Sequence, residues 1–230
     1  MEKAVPDVSI KLARRVLEVV DKGLCNGVGH PIPGQMCVEA AVCYAMGKPH
    51  GDKPSCVNDE VRWAKITLND MNWPSEEKRA EGLRRVAIAQ LGSDQIEKGK
   101  FKEKLISNLL RDILIPYTIS KHKDLTPKEK ALLKKLPSVD RTQERLKTFC
   151  DIADNSTIKF PYYPLRSFIE NTEKRVTSTD TVIDAMRGWI HSSENGNSQH
   201  ESLVIIADCI EKTLKECKSP GVKWLHLCKK

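Results

Sequence analysis

Helix boundary signals recur along almost the whole of this 230-residue chain. Ser9, Asn58, Ser75, Thr126 and Ser198 stand where a side-chain oxygen can accept from the free N–H groups of a first helical turn. Gly23, Gly47 and Gly92 stand where an ending helix can turn left-handed. Two of the starts are capping boxes, Thr126-Pro127-Lys128-Glu129 and Ser198-Gln199-His200-Glu201. Between these signals apolar residues recur at helical spacing. Ile10, Ala13, Leu17 and Val20 form one stripe, flanked by Val16. Leu83, Val86, Ala87 and Leu91 form another, and Phe101, Leu105, Leu109 and Ile113 a third. Strand signals are nearly absent, and aromatics at 5% leave the core to Leu, Ile, Val and Ala. The expected fold is all-α, an irregular multi-helix globular bundle of about eight or nine helices.

The boundaries suggest helices from Asp7 or Ser9 to Lys22, Gln35 to Met46, Asn58 to Asn69, and Ser75 to Gly92. A basic helical stretch follows, interrupted or ended by Pro116, and then a short helix from Thr126 to Pro137. Further helices are expected at about 140–153, about 179–191, and from Ser198 to about Cys217. Phe160-Pro161-Tyr162-Tyr163-Pro164 reads as a loop closing a core edge. The tail Val222-Lys223-Trp224-Leu225-His226-Leu227 is too apolar to stay in solvent and is expected to dock. Two units are expected within one compact domain: 1–97, holding the Cys/His/Gly-rich loops, and 98–230, the basic and C-terminal part packed on it.

The N-terminus lacks a basic start followed by an apolar stretch, and the densest apolar run, Leu203-Val204-Ile205-Ile206-Ala207, is too short to span a bilayer. A cytoplasmic protein without membrane contact is therefore expected. In that compartment its eight cysteines read as small apolar core residues rather than disulfides. The formal net charge of +7 is concentrated in one stretch. Residues 98–147 carry 14 Lys/Arg against 6 Asp/Glu, a net +8. Within it Lys121, Lys123, Lys128, Lys130, Lys134 and Lys135 are candidates for gripping phosphates or an acidic protein, without base stacking because few aromatics interleave.

Three segments carry a resemblance: Gly34-Gln35-Met36-Cys37-Val38-Glu39-Ala40-Ala41-Val42-Cys43-Tyr44-Ala45-Met46 with its continuation to Asp52, Gly82 to Ser93, and Ser219 to Leu225. Together they resemble a family of uncharacterised bacterial and phage proteins. The resemblance implies a bacterial or phage origin and brings no chemistry with it.

Cys37 is the sharpest single feature. With Gly34 as cap it would sit in a first helical turn, where unpaired N–H groups favour a thiolate. Gln35 would then donate to an oxyanion, His30 or His50 would be the base, and Asp52 would orient it. This makes a cysteine-dependent hydrolase or transferase the alternative function. Against it, Cys37, Ala41 and Tyr44 share a helical face, so burial of Cys37 is the favoured expectation. Cys25, His30, Cys37, Cys43, His50 and Cys56 crowd together but lack a zinc knuckle, so no metal and no cofactor is expected. The favoured function is a non-catalytic helical binding or scaffold protein, contacting nucleic acid or an acidic partner through residues 98–147.

Overall fold

The computed structural model describes residues 8–121, 125–135 and 199–229. Among them are eight α-helices and no strand: α1 Ile10–Val20, α2 Val38–Ala45, α3 Asp59–Asn69, α4 Glu76–Ala89, α5 Lys100–Leu109, α6 Ile115–Lys121, α7 Pro127–Lys135 and α8 Gln199–Glu216. The fold is all-α, as the punctuation of the sequence requires. No described helix is long and apolar enough to cross a membrane.

The caps act where the sequence places them. Ser9 Oγ accepts from the Leu12 N–H, Asn58 Oδ1 from Glu60 and Ser75 Oγ from Lys78. Thr126 and Glu129 exchange bonds, the Thr126 N–H donating to Glu129 Oε2 at 2.8 Å and the Glu129 N–H to Thr126 Oγ1 at 3.2 Å. Two local expectations are corrected. Ile10 is 39% exposed, whereas Leu12 and Val19 are buried, so α1 inserts a different and wider face than its stripe suggests. Helix α2 begins at Val38 instead of Gln35, because Gln35 and Met36 are held by backbone bonds across the preceding loop.

The chain divides into two compact units, Met1–Phe101 with Ser198–Lys230, and Lys102–Asn197. The expected boundary after residue 97 thus falls four residues early, and the C-terminal segment belongs with the first unit. The reason lies in α4, which packs against α8 and the tail as well as α1 and α2. Leu203, Ile206, Ala207, Ile210 and Leu214 give α8 a continuous buried stripe. The tail forms a 3-10 helix, Pro220–Cys228, with Trp224 and Leu225 buried. Ser219 Oγ donates to the Ala89 carbonyl at 2.6 Å and the Gly221 N–H to the Leu91 carbonyl at 2.7 Å, so the tail docks by capping the end of α4.

In the second unit α5 passes through a π turn, Leu110–Leu114, into α6. Pro116 has no N–H for the carbonyl four residues back, and its ring crowds that carbonyl. The wider π turn lets the helical path continue, so Pro116 interrupts the helix without ending it. The helices expected at 140–153 and 179–191, the Phe160–Pro164 loop and the Ser198 cap itself lie outside the described residues.

At Gly221 a Cβ would stand 2.1 Å from the Ile88 carbonyl oxygen and 2.9 Å from both N and O of Leu91. Gly221→Ala must therefore push the tail off α4. Urea unfolding should show a loss of about 1–3 kcal/mol, the usual cost of overpacking. An unchanged midpoint would mean that the tail does not hold this seat in solution.

Candidate functional site

The long loop between α1 and α2 is built around close backbone approaches. Cys25 N–H donates to Met36 O, Cys37 N–H to Val28 O, and His30 N–H to Gln35 O. Gly29 has φ +70°, and a Cβ there would lie 2.1 Å from Gln35 O and 2.4 Å from Cys25 Sγ. Only glycine fits such a crossing. Side chains from α3 and α4 then tie the loop down. Asn69 Nδ2 donates to Cys25 O at 3.0 Å while its Oδ1 accepts from the Val38 N–H at 3.3 Å. Asp70 Oδ1 accepts from Gly27 N–H, and Arg79 donates to Leu24 O and to Asn69 O, both at 2.8 Å. Irregular backbone next to a core needs its polar groups paired, and here the partners come from α3, its C-cap and α4, 31 to 55 residues away in sequence.

Cys37 is the N-cap of α2. Its Sγ accepts from the Ala40 N–H at 3.3 Å, the place an oxygen usually fills. The side chain is buried, and burial pushes its thiol up to about 11, with the Glu39 carboxylate adding to the rise. The charges near enough to act on it are those of Glu39 and Lys65. The remaining members of the expected constellation are placed elsewhere. His50 Nε2 donates to the Gly29 carbonyl at 2.9 Å. Asp52 pairs with Arg62 Nη1 at 3.7 Å. Gln35 and His30 are exposed on the loop. The position of His50 thus staples the two loops that flank α2.

Beneath Cys37 lies an ion pair that the sequence reading passed over. Lys65 Nζ of α3 stands 2.9 Å from Glu39 Oε1 of α2, and both side chains are 0% exposed. Burial pushes the Glu39 carboxyl up and the Lys65 ammonium down, each opposed by the other's charge. Among the described residues Glu39 Oε2 has no hydrogen-bond partner. Three thiols surround the pair. Cys37, Cys43 and Cys56 are all buried and all pushed up to about 11, chiefly by burial. Every residue of α2 except Tyr44 is buried, so Cys43 meets the core although it lies well around the helix from the Cys37 cap. A signal was present: Glu39 is the one charged residue between Gln35 and Lys48, in an otherwise apolar and small-residue run. Among the described residues no group of three or more His, Cys, Asp or Glu is placed to hold a metal ion.

The lysines of the basic stretch are partly visible. Lys128, Lys134 and Lys135 of α7 are exposed and Lys130 is half-buried. Lys121 closes α6, and Lys123 lies outside the described residues. No family model matches the chain, and neither a curated protein nor a solved structure matches it.

Two measurements test this arrangement. Lys65→Met alone should cost about 3–5 kcal/mol, because it strands a buried carboxylate, whereas Lys65→Met with Glu39→Leu should recover most of that loss. A double variant no better than the single one would show that the pair is not held as a buried unit. Cys37 should resist iodoacetamide at neutral pH and label only as the protein unfolds. Fast labelling with an apparent pKa below that of a free thiol, about 8.5, would overturn its structural role.

Proposed function

We propose that this chain is a non-catalytic helical binding protein whose basic stretch contacts nucleic acid, with an acidic protein as the second partner class. The lysine density of α7 carries the reading. Four of its nine residues are lysines and only Leu133 is buried. Lys128 and Lys135, seven apart, lie almost in line along the helix, while Lys130 and Lys134 form a second line at i,i+4, at least a quarter turn away, so basic charge is spread around most of the helix. Glu129, the acid within this helix, is engaged in the Thr126 cap. Lys134 and Lys135 occupy the last turn, where cations suit the negative end of the helix. Lysines so placed neutralise phosphates without reading bases.

The non-catalytic part of the proposal is supported by Cys37. A nucleophilic thiol needs exposure and a lowered pKa, and this one is buried, raised and used as a cap. The described cysteines are all free thiols, which suits a reducing, cytoplasmic setting.

Binding of fluorescent duplex DNA should be strong at low salt. With four phosphates neutralised it should weaken about a hundredfold between about 50 and 200 mM salt. The combined substitution Lys130→Glu, Lys134→Glu and Lys135→Glu should weaken it further and flatten the salt dependence. Absence of binding at low salt sinks the nucleic-acid reading. Equal affinity for polyglutamate would point to the acidic protein instead.

A further inference from the structure

The first unit holds a second, unrelated feature: a pocket of about 170 Å³ between α4 and α8. Its volume lies below the roughly 300 Å³ at which drug-sized sites begin, so its occupant must be small. Gly82 and Val86 of α4 and Val204 and Ala207 of α8 line it with apolar surface. The polar groups stand around this floor, and their existing partners decide what else can bind.

Arg85 is already engaged. Its Nε and Nη2 donate to the two oxygens of Glu211 at 2.7 and 2.8 Å, and Lys215 reaches the same carboxylate at 2.6 Å. An incoming anion would have to break a bidentate pair to reach the guanidinium. Glu81 is bridged to Lys78 at 2.8 Å. Asp208 is different: among the described residues it accepts no hydrogen bond and forms no ion pair, although it lines the pocket. At the other end stands His200, whose Nδ1 is buried and has no hydrogen-bond partner among the described residues. His200 is pre-positioned, its ring lying edge-on to Trp73 at 5.8 Å between centroids. Trp73 is itself fixed by a 2.8 Å bond from Nε1 to Leu68 O, and its ring lies where a Cβ on Gly82 would be.

The two open polar groups of the pocket are thus a carboxylate and, in the Nε2–H tautomer, an imidazole lone pair. Both accept. His200, Val204 and Asp208 follow at four-residue steps, so they share one face of α8 with the apolar residue midway. The eight residue steps from His200 to Asp208 rise about 12 Å, less the inward reach of the two side chains. We propose that this pocket binds a small aliphatic amine that carries a second hydrogen-bond donor at its far end, of which a five-carbon α,ω-diamine is the simplest form. One ammonium pairs with Asp208, the methylenes lie over Val204, Ala207 and Val86, and the second nitrogen donates to His200 Nδ1.

Calorimetric titration of the full chain with 1,5-diaminopentane tests this, with n-pentylamine, pentanedioate and Nα-acetyl-lysine methylamide as comparisons. The diamine should bind, the monoamine about tenfold more weakly, and the dianion not at all. Asp208→Asn, at an exposed position that the fold does not need, should weaken the diamine by about tenfold. Val204→Phe should block it, with circular dichroism showing both variants to be folded. No heat with the diamine at millimolar concentration overturns the proposal, as does unchanged affinity in Asp208→Asn or binding of the dianion. Binding of the lysine derivative without the diamine would overturn the free amine as occupant.

Discussion

The Glu39–Lys65 ion pair is the constraint around which the first unit is arranged. Two charges without solvent exposure are held only if their geometry is enforced from outside, because desolvation costs more than an imperfect pair returns. Enforcement comes from the surrounding packing. Helix α2 lies between α1, α3 and α4, and Ala40, Ala41 and Ala45 let these neighbours come close. Any shift of α2 along α3 would separate the carboxylate from the ammonium. The pair therefore selects one register of the two helices, where small apolar side chains alone would tolerate several.

That register has consequences at the surface. With α2 fixed, its first free N–H groups point at one place, and Cys37 Sγ and Asn69 Oδ1 are there to receive them. Asn69 follows Lys65 by one helical turn on α3, so the helix that supplies the buried ammonium also supplies the loop's amide clamp. Arg79 then joins that clamp to α4 through the Asn69 carbonyl. The Cys/His/Gly-rich loops are thereby an outward extension of the core, and Cys37 and His50 are occupied in holding it. Chemistry at Cys37 would require undoing the cap that positions α2.

What could be read beforehand follows the range of the interactions. Ser9, Asn58, Ser75 and Thr126 cap neighbours two or three residues away, so their sequence context is sufficient. The docking of the tail was also legible, because Trp224 and Leu225 are costly to leave in water. The start of α2 was misplaced because Cys37 is an uncommon cap and because Gln35 and Met36 are bound across the loop rather than along the helix. The buried lysine was missed because Lys65 looks, within its own helix, like any solvated charge. Its partner is twenty-six residues away in sequence. The pocket between α4 and α8 unites residues more than a hundred positions apart, and no local pattern announces it.

The chain leaves its first unit after Phe101 and re-enters it at Ser198. During synthesis, α4 therefore emerges roughly a hundred residues before the two segments that cover it. At about 5–20 residues per second, its apolar stripe waits several seconds to tens of seconds for α8 and the tail. Leu83, Val86 and Ala87 are buried in the finished protein but lack their C-terminal cover throughout that interval. Closure of this unit is a late event, set by translation rather than by diffusion. Ser219 and Gly221, which cap the end of α4, arrive after α8 and complete a core begun with α1.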